Sequence, residues 1–228
     1  MKQQYTSNIQ NLVTWTPSTT YVLGFLCADG YLQSNNRTTS NDSFILGVNL
    51  KYSKNNLKIL QYIRNVLHST HPIKYYKNYN KLYQKYYYKY VFQIYGLSTE
   101  DVELLRSRSI FENKSKLEFL PKMPQDVIFD WLRGFFDGDG FITIFKRKDR
   151  SNSHIRCLGF CSGGIKILQQ IQTKICFNYG HIYRRKKNLY KLEIKQKTHI
   201  KHVAQLMYKN DLCSVLYKKQ KFIADNLI

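Results

Sequence analysis

Two stretches of this sequence end an apolar run with an aspartate set between small residues. They are VLGFLCADG, from Val22 to Gly30, and LRGFFDGDG, from Leu132 to Gly140. Superposed, Gly24 falls on Gly134, Phe25 on Phe135, Asp29 on Asp139 and Gly30 on Gly140, a displacement of 110 residues from Asp29 to Asp139. Each run reads as a helix, the first with start signals at Pro17, Ser18 and Thr19. Gly24 and Ala28 lie four apart on one face, as do Gly134 and Gly138. Glycine inside a helix costs about 1 kcal/mol relative to alanine, so its use needs a reason, and close packing of one helix on the other supplies it. Gly30 and Gly140 are then expected to end the helices in the left-handed region. Each aspartate stands at a helix C-terminus, where the dipole disfavours a carboxylate, and two such ends side by side also repel. A divalent cation between them removes both penalties. Oxygen ligands at an open site suit Mg²⁺, which activates water and stabilises a leaving oxygen in phosphate displacement. A single such string is more often only a helix-ending turn; the matched pair makes a candidate metal centre.

The elements that must position these residues also repeat. After the first motif come strand patterns at Tyr31–Arg37 and Ser43–Lys51, then an amphipathic helix with Leu57, Leu60, Ile63 and Leu67 on one face. Tyrosine-rich strands follow at Ile73–Tyr79 and Tyr86–Tyr95, then a helix over Ser98–Ser107. After the second motif the strands are Phe141–Arg147 and Ile155–Cys161. A helix carrying Ile165, Leu168, Ile171 and Ile175 comes next, with strands at His181–Arg185 and Leu189–Lys195 and a helix from about Thr198. The expected fold is α+β, two αββαββα halves over residues 1–112 and 126–228. Segment 113–125, with Pro121 and Pro124, joins them.

Composition narrows the partner. Among 228 residues, 36 are Lys or Arg and 15 Asp or Glu, a net charge of +21. Self-repulsion of that size is relieved by a polyanion, and nucleic acid fits because each neutralised phosphate releases counterions. The basic residues are spread along the chain and interleaved with tyrosine, which suits a long groove better than a membrane helix. No apolar run approaches a membrane span. The start lacks the apolar core of a secretory signal, so an intracellular protein is expected. The cysteines at 27, 157, 161, 176 and 213 form no CxxC pair and read as buried reduced thiols. His199 and His202 read as surface residues or phosphate contacts.

The two motifs resemble those of the LAGLIDADG homing endonucleases in their single-chain, two-motif form. That resemblance implies motif helices packed at the interface of the halves and a saddle of antiparallel strands over duplex DNA. It implies cleavage of both strands across the minor groove by a monomer, leaving short 3′ overhangs. It implies metal ligation by Asp29 and Asp139 with the carbonyls of Ala28 and Gly138. Mg²⁺ is the expected ion, with Mn²⁺ a substitute and Ca²⁺ supporting binding but little cutting. The earlier acidic position of the motif is Cys27 in one copy and Asp137 in the other. The resemblance places a lysine near the end of each fourth strand. Lys195 stands there in the second half and Tyr95 in the first, where Lys51 is the replacement considered. Asn49 fits the polar residue that faces the metal from the second strand; Cys157, taken as its counterpart, offers no comparable group, so the two strands are expected to be cut unequally.

Strand alternation assigns a reading face. It carries Tyr31, Gln33, Asn35 and Arg37 after Asp29, and Phe141, Thr143, Phe145 and Arg147 after Asp139. Gln, Asn and Arg suit base edges in the major groove. Lys191, Glu193 and Lys195 should face outward while Leu192 and Ile194 enter the core. Arg185, Lys186 and Lys187 form a hairpin tip for phosphates; Lys77, Lys81, Lys85 and Lys89 serve the first half. Two other readings use the same fold: an RNA-binding maturase acting on a host intron, and a DNA-binding regulator without nuclease activity. Both need the basic surface but not both aspartates. An intein is disfavoured because Met1 and Asn226-Leu227-Ile228 lack the splicing residues.

Overall fold

The structure, a computed structural model, describes residues 4–35, 43–112, 119–146, 154–210 and 216–228. Arg37 and Arg147 lie outside these residues, as does Cys213, and for Asn35 only the backbone is described. The first half runs α1 (Pro17–Asp29), β1 (Gly30–Asn35), β2 (Ser43–Lys51), α2 (Lys54–Val66), β3 (Ile73–Asn80), β4 (Lys85–Leu97) and α3 (Thr99–Ser107). The second runs α4 (Ile128–Asp139), β5 (Gly140–Lys146), β6 (His154–Ser162), α5 (Ile165–Gln170), β7 (His181–Lys186), β8 (Leu189–Ile194) and α6 (Lys197–Met207). Each half folds its strands into one antiparallel sheet, ordered β1-β2-β4-β3 and β5-β6-β8-β7.

Local sequence explains most of these elements. Pro17 opens α1 behind a capping box in which Thr16 and Thr19 satisfy each other's backbone N–H groups. From Thr19 to Ala28 every residue of α1 is buried, so the helix is an interior one, apolar all round. In α2 the buried set is Ile59, Leu60 and Ile63, one stripe of an otherwise polar helix capped by Ser53. A second capping box, Ser98 with Asp101, starts α3. The helix expected from Ile165 to Ile175 buries Leu168, Ile171 and Ile175 but leaves Ile165 exposed, with Ile167 buried instead, and its second half, Ile171–Ile175, widens into a π turn.

Three expectations are corrected. Gly30 and Gly140 do not turn left-handed: their φ values are −70° and −88°, in the extended region where β1 and β5 begin. Glycine is needed there for room, because a Cβ would stand 2.5 Å from the Leu26 carbonyl oxygen at Gly30 and 2.5 Å from that of Phe136 at Gly140. Among the described cysteines, Cys27 and Cys176 are buried, whereas Cys157 and Cys161 are half-buried on one face of β6. Finally, an eighth element appears in the second half. Helix α7 (Leu216–Ala224) has no counterpart among the described residues of the first half, and Arg156 of β6 fastens its end by pairing with Asp225, whose Oδ1 accepts at 2.9 Å.

A buried ion pair ties α4 to the end of α6. Arg133 and Asp130 meet at 3.0 Å, and Arg133 also donates to the carbonyls of Met207 at 3.1 Å and Asn210 at 2.7 Å. Burial pushes the Asp130 carboxyl up while Arg133 pulls it down. Among the described residues no helix is long and apolar enough to cross a membrane.

Candidate active site and nucleic-acid face

Helices α1 and α4 share the most extensive contact of any helix pair. A Cβ added at Gly24 would fall on the Trp131 carbonyl and 3.0 Å from the Phe135 nitrogen; one at Gly134 would fall on the Tyr21 carbonyl and 2.8 Å from the Phe25 nitrogen. At Gly138 it would meet the Ala28 methyl and come 3.4 Å from Asp29 Oδ2. These contacts advance together along both segments, so the helices run parallel and end together. Asp29 and Asp139, both half-buried, emerge at that common end. The Tyr21 hydroxyl donates across the same interface to Asp137 Oδ2 at 2.8 Å. At the matching position Cys27 is buried, its thiol directed at the carbonyls of Arg108 and Ser109 at 3.7 Å each.

The paired carboxylates have a resident cation that the sequence reading missed. Lys218, on α7 and only 5% exposed, donates to three carbonyls around the end of α4: Phe136 at 2.6 Å, Asp137 at 2.8 Å and Gly140 at 2.8 Å. An ammonium has three N–H donors, and all three are used. Burial draws the Lys218 pKa down, opposed by the negative charges of Asp137, Asp29 and Asp139. The group therefore offsets both the helix-end dipole and the mutual repulsion of the two acids. Its carbonyl set omits Gly138.

Lys218 and Gly138 line a cavity of about 330 Å³ together with Asp29, Asn49, Lys51 and Asn56. Register explains the gathering, since Gly30 pairs with Val48 and so sets Asn49 and Lys51 alongside the end of α1. From Asn49 a polar chain crosses the sheet. Asn49 hydrogen-bonds Tyr31, Gln93 donates to the Tyr31 hydroxyl at 2.7 Å, and the Tyr95 hydroxyl donates to Gln93 Oε1 at 2.5 Å. Burial raises the Tyr31 pKa, more than these hydrogen bonds lower it.

Among the described residues no three His, Cys, Asp or Glu side chains converge. A cation here would instead take two carboxylates, the Ala28 and Gly138 carbonyls and water, a hard-oxygen set that fits Mg²⁺.

This arrangement of helices and antiparallel sheets has counterparts among solved structures. The LAGLIDADG homing endonuclease I-GzeII in complex with its DNA target matches with TM-score 0.60 and 12% identity, over 94% of this chain and 90% of that one. I-SmaMI bound to an uncleaved DNA target in the presence of calcium ions matches with TM-score 0.59 and 13% identity, over 94% and 91%. I-AabMI bound to uncleaved DNA matches with TM-score 0.58 and 11% identity, over 93% and 90%.

The chain has the LAGLIDADG fold.

Compared by sequence, it matches no protein-family model and no curated protein.

Within the LAGLIDADG fold the two halves can be aligned rung by rung. Tyr31, Gly47 and Gln93 are cross-strand neighbours, and so are Phe141, Gly159 and Glu193. In each trio the ring covers a glycine whose Cβ it would displace. The alignment sets Tyr95 opposite Lys195, as expected. It also corrects one pairing: the counterpart of Asn49 is Cys161, not Cys157. Burial raises the Cys161 thiol, with Lys191 opposing and the Asp139 charge adding to it.

Lys195 directly follows the fourth strand of its half, as expected. Its ammonium lies 3.4 Å from Glu193 Oε2 and 5.5 Å from the Tyr183 ring, and it faces Cys157. Cys157 is four residues, roughly 13 Å of strand, from Cys161. The basic groups that face Cys161 are Lys191 and Lys218. Leu192 and Ile194 are buried, as expected, with Lys191 and Glu193 on the opposite face.

The same alternation sorts the remaining candidates. On the first sheet the face that carries Tyr31 and Gln33 also carries Asn49, Lys51, Gln93, Lys89 and Lys85. Lys77 lies on the other face, its ammonium 4.1 Å from the Tyr86 ring, and Lys81 sits in the turn, so the four lysines are not one surface. On the second sheet Thr143 pairs with Cys157, and Phe145, 49% exposed, pairs with Ile155. Lys191 lies over Phe141 at 4.7 Å. Arg185 falls at a register shift in β7, and Lys187 begins the exposed turn to β8. His199 stacks on Tyr179 at 3.7 Å and His202 on Phe177 at 4.7 Å; both clasp the loop before β7.

Proposed function

We propose that this chain is a divalent-metal-dependent DNA endonuclease that cuts both strands of a long duplex target and leaves short 3′ overhangs. One observation carries the reading: the parallel helices α1 and α4 end together, each in a half-buried aspartate, beside two sheets whose open faces carry lysine. The similar structures add support, since their descriptions name complexes with DNA targets, and one describes I-SmaMI bound to cleaved DNA. Because one chain supplies both acids, it acts as a monomer.

In this reading the sheets bind first. Lys51, Lys85, Lys89, Lys191, Arg185 and Lys187 neutralise phosphates. Gln33 and Asn35, with Arg37 and Arg147, read base edges, and Thr143 and Phe145 give shape contacts. Tyr31 and Glu193 orient their neighbours: Tyr31 fixes Asn49 and Gln93, and Glu193 fixes Lys195. Asp29 and Asp139, with the Ala28 and Gly138 carbonyls, hold Mg²⁺ or Mn²⁺; the cation supplies charge neutralisation at the scissile phosphates and activation of water. Asn49 and Lys51 flank one carboxylate, whereas Cys161, Lys191 and Lys218 flank the other. Unlike surroundings should give unlike rates on the two strands.

The test is incubation with a randomised duplex library and Mg²⁺, followed by sequencing of the cut ends. Paired breaks at one sequence, with 3′ overhangs and a faster strand, are expected. Calcium should support binding with little cutting. Absence of any break, with duplex affinity intact in Mg²⁺ and Mn²⁺, would leave a binding protein only.

A further inference from the structure

The β3–β4 hairpin has a second face that duplex reading does not use. Its inner part, Ile73 beside Phe92, closes the core. Beyond that point the core ends, and the same face continues outward as Tyr75 beside Tyr90, Lys77 beside Tyr88 and Tyr79 beside Tyr86. Tyr52, just past β2, closes against it. The rings form two groups bridged by Lys77: Tyr52 lies 5.4 Å from Tyr75 and 5.1 Å from Tyr90, Tyr75 stacks on Tyr88 at 5.9 Å with 16° between planes, Tyr79 lies 5.0 Å from Tyr86, and the Lys77 ammonium lies 4.1 Å from the Tyr86 ring and 5.9 Å from that of Tyr88. Tyr52, Tyr75, Tyr79 and Tyr86 each remain half exposed or more (52%, 51%, 50% and 57%).

Two further features separate this array from ordinary hairpin packing. Strand β2 ends at Lys51 while β4 runs on to Lys85, which leaves a cleft of about 590 Å³ at the sheet edge, lined by Tyr52, Tyr86 and Tyr88 from this face and by Lys51, Lys85 and Tyr87 from the other. The second half builds its equivalent hairpin without such an array, offering Arg184 and one tyrosine, Tyr190, on the corresponding face. The fold therefore does not require the rings. Charge then selects the partner. From Ser43 to Thr99 the sequence has nine Lys or Arg and no Asp or Glu.

We infer that the Tyr52–Tyr75–Tyr88 face of the β3–β4 hairpin is a binding site for unpaired nucleotides, on the side of the sheet away from the duplex groove and meeting it only at the edge lysines Lys51 and Lys85. Exposed π faces stack bases irrespective of sequence, and flanking lysines take the backbone phosphates. A duplex has its bases already stacked and presents none to this face. The site is independent of Asp29 and Asp139, so it stands or falls apart from the nuclease reading.

Fluorescence anisotropy with labelled dT₁₂, rU₁₂ and a mixed-sequence duplex, all in EDTA, tests this. The double variant Tyr75→Leu/Tyr88→Leu keeps apolar bulk but removes the π faces. It should weaken binding of the single strand by about tenfold or more and leave the duplex within about twofold. Tyr75→Phe/Tyr88→Phe should bind the single strand like the parent. The dT₁₂ and rU₁₂ arms tell whether DNA or RNA is preferred. Equal losses for duplex and single strand, or no loss for either, would overturn the inference. On the unaltered protein, photocrosslinking to oligonucleotides carrying 5-bromodeoxyuridine or 4-thiouridine should label Tyr52, Tyr75 or Tyr88. Labels confined to Tyr31, Tyr76 and Tyr95 on the opposite face would overturn it equally.

Discussion

Lys218→Met removes an ammonium and keeps most of the side chain's volume. The ammonium makes three hydrogen bonds to carbonyls at the end of α4. Hydrogen bonds to charged groups contribute about 1.5–3 kcal/mol each, but the depressed pKa shows that burying this charge is costly. Loss of a buried charged partner is therefore expected to cost a net ~2–4 kcal/mol. For a chain of this size that corresponds to a melting temperature lower by roughly 5–15 °C. The charge argument adds a second expectation that a plain packing defect would not produce. Without Lys218, the repulsion between Asp29 and Asp139 loses the positive charge that offsets it. Calcium should relieve that repulsion and raise the melting temperature of the variant by more than it raises that of the parent. Differential scanning fluorimetry in EDTA and in calcium measures both. Melting within ~1 °C of the parent, or a calcium increment no larger than the parent's, would refute the role given to Lys218.

Asp29→Asn and Asp139→Asn should each abolish double-strand cleavage with duplex affinity nearly intact. In EDTA each should also raise thermal stability, by roughly 0.3–1 kcal/mol from the relieved helix end; a lowered melting point would contradict that electrostatic account. Gly24→Ala or Gly134→Ala drives a methyl into a carbonyl oxygen of the facing helix and should destabilise by ~3 kcal/mol or more, read as a fall in the urea midpoint. Lys195→Met should slow cutting less than Lys218→Met does, without change in affinity; single-turnover nicking assays compare them. The Asp225 carboxyl is held below its ordinary pKa by its hydrogen bonds with Arg156. Its contribution is therefore complete above the unfolded value near ~4 and disappears as pH falls through the folded one. Between pH 7 and pH 3 the parent should lose more stability than Asp225→Asn, and parallel losses would rule the pair out as a source of acid sensitivity.

Much of this architecture was legible because its signals are local. The glycines of α1 and α4 sit at helical spacing, capping residues stand where α1, α2 and α3 begin, and strand alternation survives even in the tyrosine-rich segment. The bounds of β2 were read to the residue. What escaped depends on chain segments that meet only after folding. Nothing near Lys218 advertises a role, since a lysine in LYKKQK looks like solvated charge until α7 lays it over the end of α4. Equating Asn49 with Cys157 failed because counting along a strand cannot reveal pairing register, which the packing of Tyr31 on Gly47 and Phe141 on Gly159 sets. Lys77 was grouped with Lys85 and Lys89 because spacing identifies a stripe on one strand and is silent about the face of its neighbour. The extended backbone of Gly30 and Gly140 was missed for a related reason: both explanations of a glycine look alike in sequence, and only the nearby carbonyl distinguishes them.

The contact between α1 and α4 also bears on how the halves recognise each other. Where glycine meets a carbonyl, nothing in the match is specific to one half, and a copy of either could in principle dock on itself. Discrimination falls to the Tyr21–Asp137 hydrogen bond. Two amino-terminal halves would set Tyr21 against Cys27, and two carboxyl-terminal halves would set Asp137 against Trp131. A chimera that transplants one half into another protein of this architecture must therefore carry that polar handshake with it, or assemble without preference for the intended mate.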